Sequence, residues 1–141
     1  MLKTQYNVEV IHTTQLIAEN LKKLNLNNNN KETITYHDPC HLGRHSGIYD
    51  EPRAIITSMG YTIKELPKNR QQSLCCGGGA GLRTNYKDLS DAVAKNILDV
   101  VTTKRIVTCC PLCYAHLKEN AKNTKIEIIE LSELITKNMT H

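Results

Sequence analysis

The chain has 141 residues, the length of one domain when soluble domains mostly run to about 100 to 200 residues, and 40% of them are apolar. With six Tyr and no Phe or Trp, the core must rest on Ile, Leu and Val, which fits a small α/β unit. The net charge of +4, from 18 basic and 14 acidic residues scattered along the chain, argues against nucleic acid, which asks for a dense basic face with stacking aromatics.

In chain order, Val8 to Ile11 predicts a short strand, followed by a helix with Thr13 and Thr14 as candidate caps and Leu16, Ile17, Leu21 and Leu24 at helical spacing. The polar stretch Asn25 to Asn30 reads as a connector. It divides the chain into a strand-helix segment over 1–31 and a main domain over 32–141. Thr33 to Tyr36 predicts a strand that Pro39 stops, leaving Cys40 in the loop beyond it. A helix with Pro52 in its first turn carries Ile55, Ile56 and Met59, and Gly60 closes it.

Tyr61 to Leu66 is the next expected strand, and Gln71 to Arg83 a glycine-rich loop. Asp88 is the expected cap of a helix bearing Leu89, Val93, Ile97 and Val100. Arg105 to Thr108 predicts a strand running into the last cysteines, and Pro111 suits the first turn of a helix through Lys118. Lys125 to Ile129 then predicts a strand and Leu131 to Lys137 a final helix. The alternation predicts an α/β fold, a mainly parallel sheet with helices on both faces. Open sheets of this kind hold their sites outside the C-terminal ends of the strands, which is where the cysteine loops fall.

No apolar run approaches the roughly 18 to 20 residues that span a bilayer, and Met1 to Gln5 lacks the apolar stretch of a secretory leader. A soluble, cytoplasmic protein is expected, and there six cysteines are more often ligands or reactive thiols than disulfides. Adjacent Cys75 and Cys76 are in any case poorly placed to bridge each other. Cys110 and Cys113 stand three apart at a helix start, where free N–H groups and the helix dipole favour thiolate. Gly77 to Gly79 are expected to let the backbone approach a bulky inorganic core. Zinc asks for about four ligands, fewer than this chain offers, whereas iron-sulfur clusters take thiolates at varied spacing. Iron-sulfur is therefore the leading expectation, with zinc, metal-free thiol chemistry and buried structural cysteines as alternatives. No Lys-Ser or Lys-Thr follows the glycines, so a P-loop is not expected.

His37 and His41 flank Cys40 and are candidates to protonate a leaving thiolate or to bond a cluster sulfur; the plainer alternative is that they orient the loop. Arg44, Arg53 and Arg83 are candidates for a substrate's sulfonate or phosphate, against the alternative of ordinary solvated arginines. His12, His116 and His141 are expected to be structural or surface residues.

The segments His37-Asp38-Pro39-Cys40-His41-Leu42-Gly43-Arg44-His45, Leu74-Cys75-Cys76-Gly77-Gly78-Gly79 and Cys110-Pro111-Leu112-Cys113 resemble the cysteine-rich CCG domain of the heterodisulfide reductase family, over residues 34–120. The stretch Asp50-Glu51-Pro52-Arg53 is similar to the catalytic subunit. Similar domains occur in thiol-fumarate reductase and in the iron-sulfur subunits of glycolate, lactate and glycerol-3-phosphate oxidising enzymes. The resemblance implies a non-cubane 4Fe-4S cluster on Cys40, Cys75, Cys76, Cys110 and Cys113, with Cys109 additional to the motif. It further implies cleavage of the coenzyme M–coenzyme B disulfide in two one-electron steps, a reaction of methanogenesis, with one substrate sulfur bound at the cluster while the other thiol leaves.

The implied partners are a small thiol or disulfide substrate and a second CCG-containing or ferredoxin-like subunit. The chain holds one cysteine repeat where the family's catalytic subunits usually carry two, and 1–31 resembles the segment that joins the repeats. The alternatives are an electron-transfer iron-sulfur subunit of a flavin-dependent 2-hydroxyacid or glycerol-3-phosphate dehydrogenase, and a zinc-stabilised binding module.

Overall fold

Four short runs, three of them rich in β-branched residues, supply a parallel sheet, and the intervening segments supply its helices. In the computed structural model, which describes residues 10–140, the strands are β1 (Thr33–Tyr36), β2 (Thr62–Ile63), β3 (Arg105–Thr108) and β4 (Glu127–Glu130). The helices are α1 (Thr13–Glu19), α2 (Asp50–Ser58), α3 (Leu82–Asn85), α4 (Lys87–Leu98), α5 (Pro111–Asn120) and α6 (Leu131–Asn138). The sheet runs in the order β2-β1-β3-β4, every pair parallel. Among the described residues, no helix is long and apolar enough to cross a membrane.

The pleat divides the core in two. Alternate residues of a strand point to opposite faces, and here Val107 and Ile129 join Ile34, Tyr36, Ile55, Met59 and Leu134 on one face. Their neighbours Ile106 and Ile128 join Ala94, Ile97, Leu98 and Leu117 on the other. Helices α2 and α6 therefore cover one face and α4 and α5 the other. Each fully buried aliphatic side chain adds about 1.5 to 3 kcal/mol of hydrophobic stabilisation, and both faces carry several, so helices on both sides stabilise the short strands.

The strand order creates a switch point. From β1 the chain moves outward to β2, then returns past β1 to place β3 on its other side, so the connections leaving β1 and β3 diverge. A crevice opens between those two strand ends, the usual ligand position in an open α/β sheet.

An ion cluster built on the buried Arg53–Asp38 pair, with the exposed Glu65 as its third member, braces this crevice. Arg53 on α2 donates to both carboxylate oxygens of Asp38 at 2.8 Å, to Glu65 at 2.6 and 2.8 Å and to the Tyr49 carbonyl at 2.6 Å. Its guanidinium also lies 4.9 Å from the centre of the Tyr36 ring. Asp38 accepts from the Arg70 N–H at 2.7 Å, and its carbonyl accepts from the Ser73 hydroxyl at 3.0 Å. The exits of β1 and β2 are thereby tied to one side chain.

Several expectations differ in detail. The predicted strand at Val8 to Ile11 falls partly outside the described residues, and Val10 and Ile11 are not in a strand. Thr13 and Thr14 lie within α1; His12 is the cap, accepting from the Thr14 N–H at 3.2 Å while Gln15 accepts from its own N–H at 3.0 Å. Asp88 likewise sits inside α4, whose cap position is Tyr86. The strand expected over Tyr61 to Leu66 contracts to Thr62–Ile63, because as the edge strand it pairs only with the first half of β1. Gly60 ends α2 as expected, at φ +85°; a side chain there would strike the Asn28 carbonyl. Residues of 1–31 share the main core, since Ile17, Leu21 and Leu26 pack on it and Leu26 bridges to Met139.

Replacing Arg53 with Met leaves Asp38 buried without its partner. The expected cost is about 3 kcal/mol, the lower end for breaking a buried pair, read as a lowered urea midpoint.

Candidate metal centre

Five of the six sulfurs reach the crevice by three routes. Cys40 lies in the turn just beyond β1, Cys75 and Cys76 in the loop after Ser73, and Cys110 and Cys113 at the cap and in the first turn of α5. Together with His41, Leu82, Tyr86 and Leu112 they line one cleft of about 480 Å³. Pro111 opens α5 at a position where its missing N–H is no loss, so the short strand β3 passes at once into a helix and holds Cys110 and Cys113 close together.

The sixth cysteine faces away. Cys109 precedes Cys110 by one residue, and the pleat sends it to the opposite side, where it packs with the α2–α6 core. Its sulfur lies 2.9 Å from the Tyr36 hydroxyl, and burial pushes its thiol up to about 12. Cys110 instead packs with the α4–α5 core. Strand alternation carries this distinction in the sequence itself, because β3 runs directly into both residues.

The sulfurs compete for charge. Cys110 and Cys76, together with burial, push the Cys113 thiol far above its ordinary value. The Cys113 thiol in turn holds Cys76 down at about 4 and Cys110 at about 6, in each case against burial. At the cleft mouth, burial and the neighbouring Cys75 raise Cys40. Crowded thiolates disfavour one another. A full set of ligating thiolates at this spacing therefore calls for a cation, and metal uptake would release protons.

A buried histidine with no partner stands beside two of these sulfurs. His37 is 1% exposed, with neither ring nitrogen hydrogen-bonded. One of its nitrogens and the sulfurs of Cys76 and Cys113 lie within 4.8 Å of one another. The buried Thr108 hydroxyl, at the end of β3, is also unpartnered. Unmet donors are costly in an enclosed site, and sulfide or thiolate acceptors would satisfy them. This donor set fits an iron-sulfur group bound mainly by cysteine.

The glycines behave differently from expectation. Gly77 has φ +83°, and a Cβ on it would lie 2.9 Å from the Ser90 carbonyl; one on Gly78 would lie 2.9 Å from the Cβ of His116. These two glycines let the loop approach α4 and α5, that is, protein rather than an inorganic core. Gly79 has open space around it.

The arginines are largely committed to protein. All five N–H groups that a guanidinium can offer are used by Arg53 on protein acceptors, leaving none for a substrate anion, which corrects that expectation. Arg83 pairs with Glu119. Arg44 is exposed and donates to the Ser73 carbonyl at 2.9 Å. His41 is exposed, its ring 4.9 Å from that of His45. His116, expected to be structural or at the surface, is fully buried beside the glycine loop.

Residues 34–118 match the family model for the CCG cysteine-rich domain. The chain is 32% identical to one subunit of the dihydromethanophenazine:CoB–CoM heterodisulfide reductase of Methanosarcina mazei, over 92% of this chain and 33% of that protein. It is 31% identical to the EtfAB:quinone oxidoreductase of Syntrophomonas wolfei, over 98% of this chain and 22% of that protein. It is 33% identical to the probable iron-sulfur-binding oxidoreductase FadF of Bacillus subtilis, over 84% of this chain and 18% of that protein. The chain thus spans about a third or less of the length of these relatives.

The two kinds of glycine should separate by experiment. Gly77→Ala combines left-handed backbone with a backbone clash and is expected to cost about 1 to 3 kcal/mol. Gly79→Ala, with open space around it, should leave the thermal midpoint close to that of the parent, and scanning calorimetry checks both.

Proposed function

This chain belongs to the cysteine-rich CCG domain family, and we propose that it holds an iron-sulfur cluster within a multi-subunit oxidoreductase. The observation that carries this reading is the convergence of five cysteines on one cleft at the switch point of the sheet, with an unpartnered buried histidine beside two of them. Cys40, Cys75, Cys76, Cys110 and Cys113 would be the ligands. The domain unit would be 32–141, with 1–31 as a lead-in segment. A bound cluster supplies one-electron transfer and an iron site able to take a substrate sulfur, which suits a two-electron disulfide couple.

The finer reading is a non-cubane 4Fe-4S cluster at which the disulfide of coenzyme M and coenzyme B is reduced. The name of the Methanosarcina relative favours it. In this reading His41, exposed on the cleft wall, carries a proton to the departing thiolate. The buried His37 donates a hydrogen bond to a sulfur inside the site. Arg44, exposed and free of carboxylate partners among the described residues, is the one of the three candidate arginines left to meet a substrate anion. A second CCG-containing or ferredoxin-like subunit supplies the electrons.

The names of the Syntrophomonas and Bacillus relatives favour a second reading, transfer of electrons to or from a flavin enzyme with no disulfide bound. A paramagnetic signal that changes on adding the thiol coenzyme selects the first reading. An unchanged signal in a complex with its partner selects the second.

Anaerobic purification followed by iron, sulfide and zinc analysis tests the common premise. The expected result is about four iron atoms per chain; one zinc and no iron overturns it. Cys76→Ser is expected to abolish iron uptake, whereas Cys109→Ser, altered on the far face, should keep it.

A further inference from the structure

Ser90 and His116 form a buried pair outside the ligand set, each 0% exposed. The Ser90 hydroxyl donates to the Gly77 carbonyl at 2.8 Å and lies 3.0 Å from the His116 Nε2. The same nitrogen lies 3.1 Å from the Ser90 carbonyl. Because the hydroxyl proton is committed to Gly77, Nε2 carries a hydrogen and donates to both Ser90 oxygens. The other ring nitrogen, Nδ1, has no partner.

This pair grips the glycine loop from two sides. Ser90 on α4 holds the Gly77 carbonyl, and the Cβ of His116 on α5 packs where a side chain on Gly78 would stand. With the loop held so, the Gly77 N–H points at the Cys75 sulfur at 3.5 Å and the Gly78 N–H at the Cys76 sulfur at 3.4 Å. Hydrogen bonds to ligating sulfur favour the more negative, reduced state of an iron-sulfur centre.

We propose that Ser90 and His116 are positioning residues, fixing the two N–H···S bonds of the Gly77–Gly78 loop and thereby setting how readily the bound centre accepts an electron. The inference rests on the iron-sulfur reading above.

The test uses Ser90→Ala, His116→Leu and the conservative His116→Gln, whose amide can still reach Ser90. In the metal-free chain, amide exchange at Gly77 and Gly78 should accelerate in Ser90→Ala and His116→Leu and stay near the parent in His116→Gln. In the reconstituted chain, a spectroscopic redox titration is read at the potential where the parent is half reduced. The reduced-to-oxidised ratio should fall about fivefold in the first two variants, what the loss of one hydrogen bond is worth.

Unchanged exchange overturns the positioning role. Faster exchange with an unchanged ratio overturns the electronic consequence. A parent chain that takes up no iron overturns the reading beneath the proposal, and the exchange data from the metal-free chain still decide whether the pair holds the loop.

Discussion

The architecture of the site depends on one buried cation. Arg53 neutralises Asp38 immediately before the Pro39-Cys40 turn and Glu65 just after β2, so the helix between these strands fixes where both of their exits lie. Asp38 then reaches the next connection through Arg70 and Ser73, the latter two residues before Cys75. Removing charges from water is expensive, and a buried pair often does no better than apolar residues of the same size. What the cluster contributes is placement: loops that a small aliphatic core would leave to wander are brought to a common point.

The pleat contributes the second half of the construction. Tyr36 and His37 are neighbours, yet one packs with the α2–α6 face while the other stands with Cys76 and Cys113. Cys109 and Cys110 divide in the same way at the end of β3. Two parallel strands, side by side and ending together, thus turn one histidine and one cysteine toward the cleft and set a tyrosine against the other cysteine behind it. One side holds a thiol against a phenol, and the other holds the five crowded sulfurs of the cleft.

Much of this is legible in the chain itself. β1 and β3 have the bounds expected of them, because β-branched runs ended by Pro39 and by the Cys110-Pro111 helix start leave little freedom. The cysteine spacing points to a single site, and the sheet brings five sulfurs to one cleft. The roles of Arg53 and of the glycines are not legible. Arg53 resembles a surface arginine in an amphipathic helix until its two carboxylates, 15 and 12 residues away, fold onto it. Gly77 and Gly78 owe their small size to Ser90 and His116, a demand that arises only when α4 and α5 pack side by side. The cap of α1 escapes the sequence for a related reason: His12 takes a role that threonine fills more often, through a ring nitrogen placed by its surroundings.

The position of Cys109 bears on how such a chain can diverge. Loops elsewhere absorb inserted or deleted residues at little cost, but one residue lost or gained between Ile106 and Cys109 would exchange the two sides of the strand. The phenol-bound cysteine would turn into the cleft and the present cleft cysteine would turn to the core, with no change in the cysteine count. The length of that segment is therefore as much a part of the site as its sulfurs, and lineages that keep the chemistry should vary its side chains far more freely than its register.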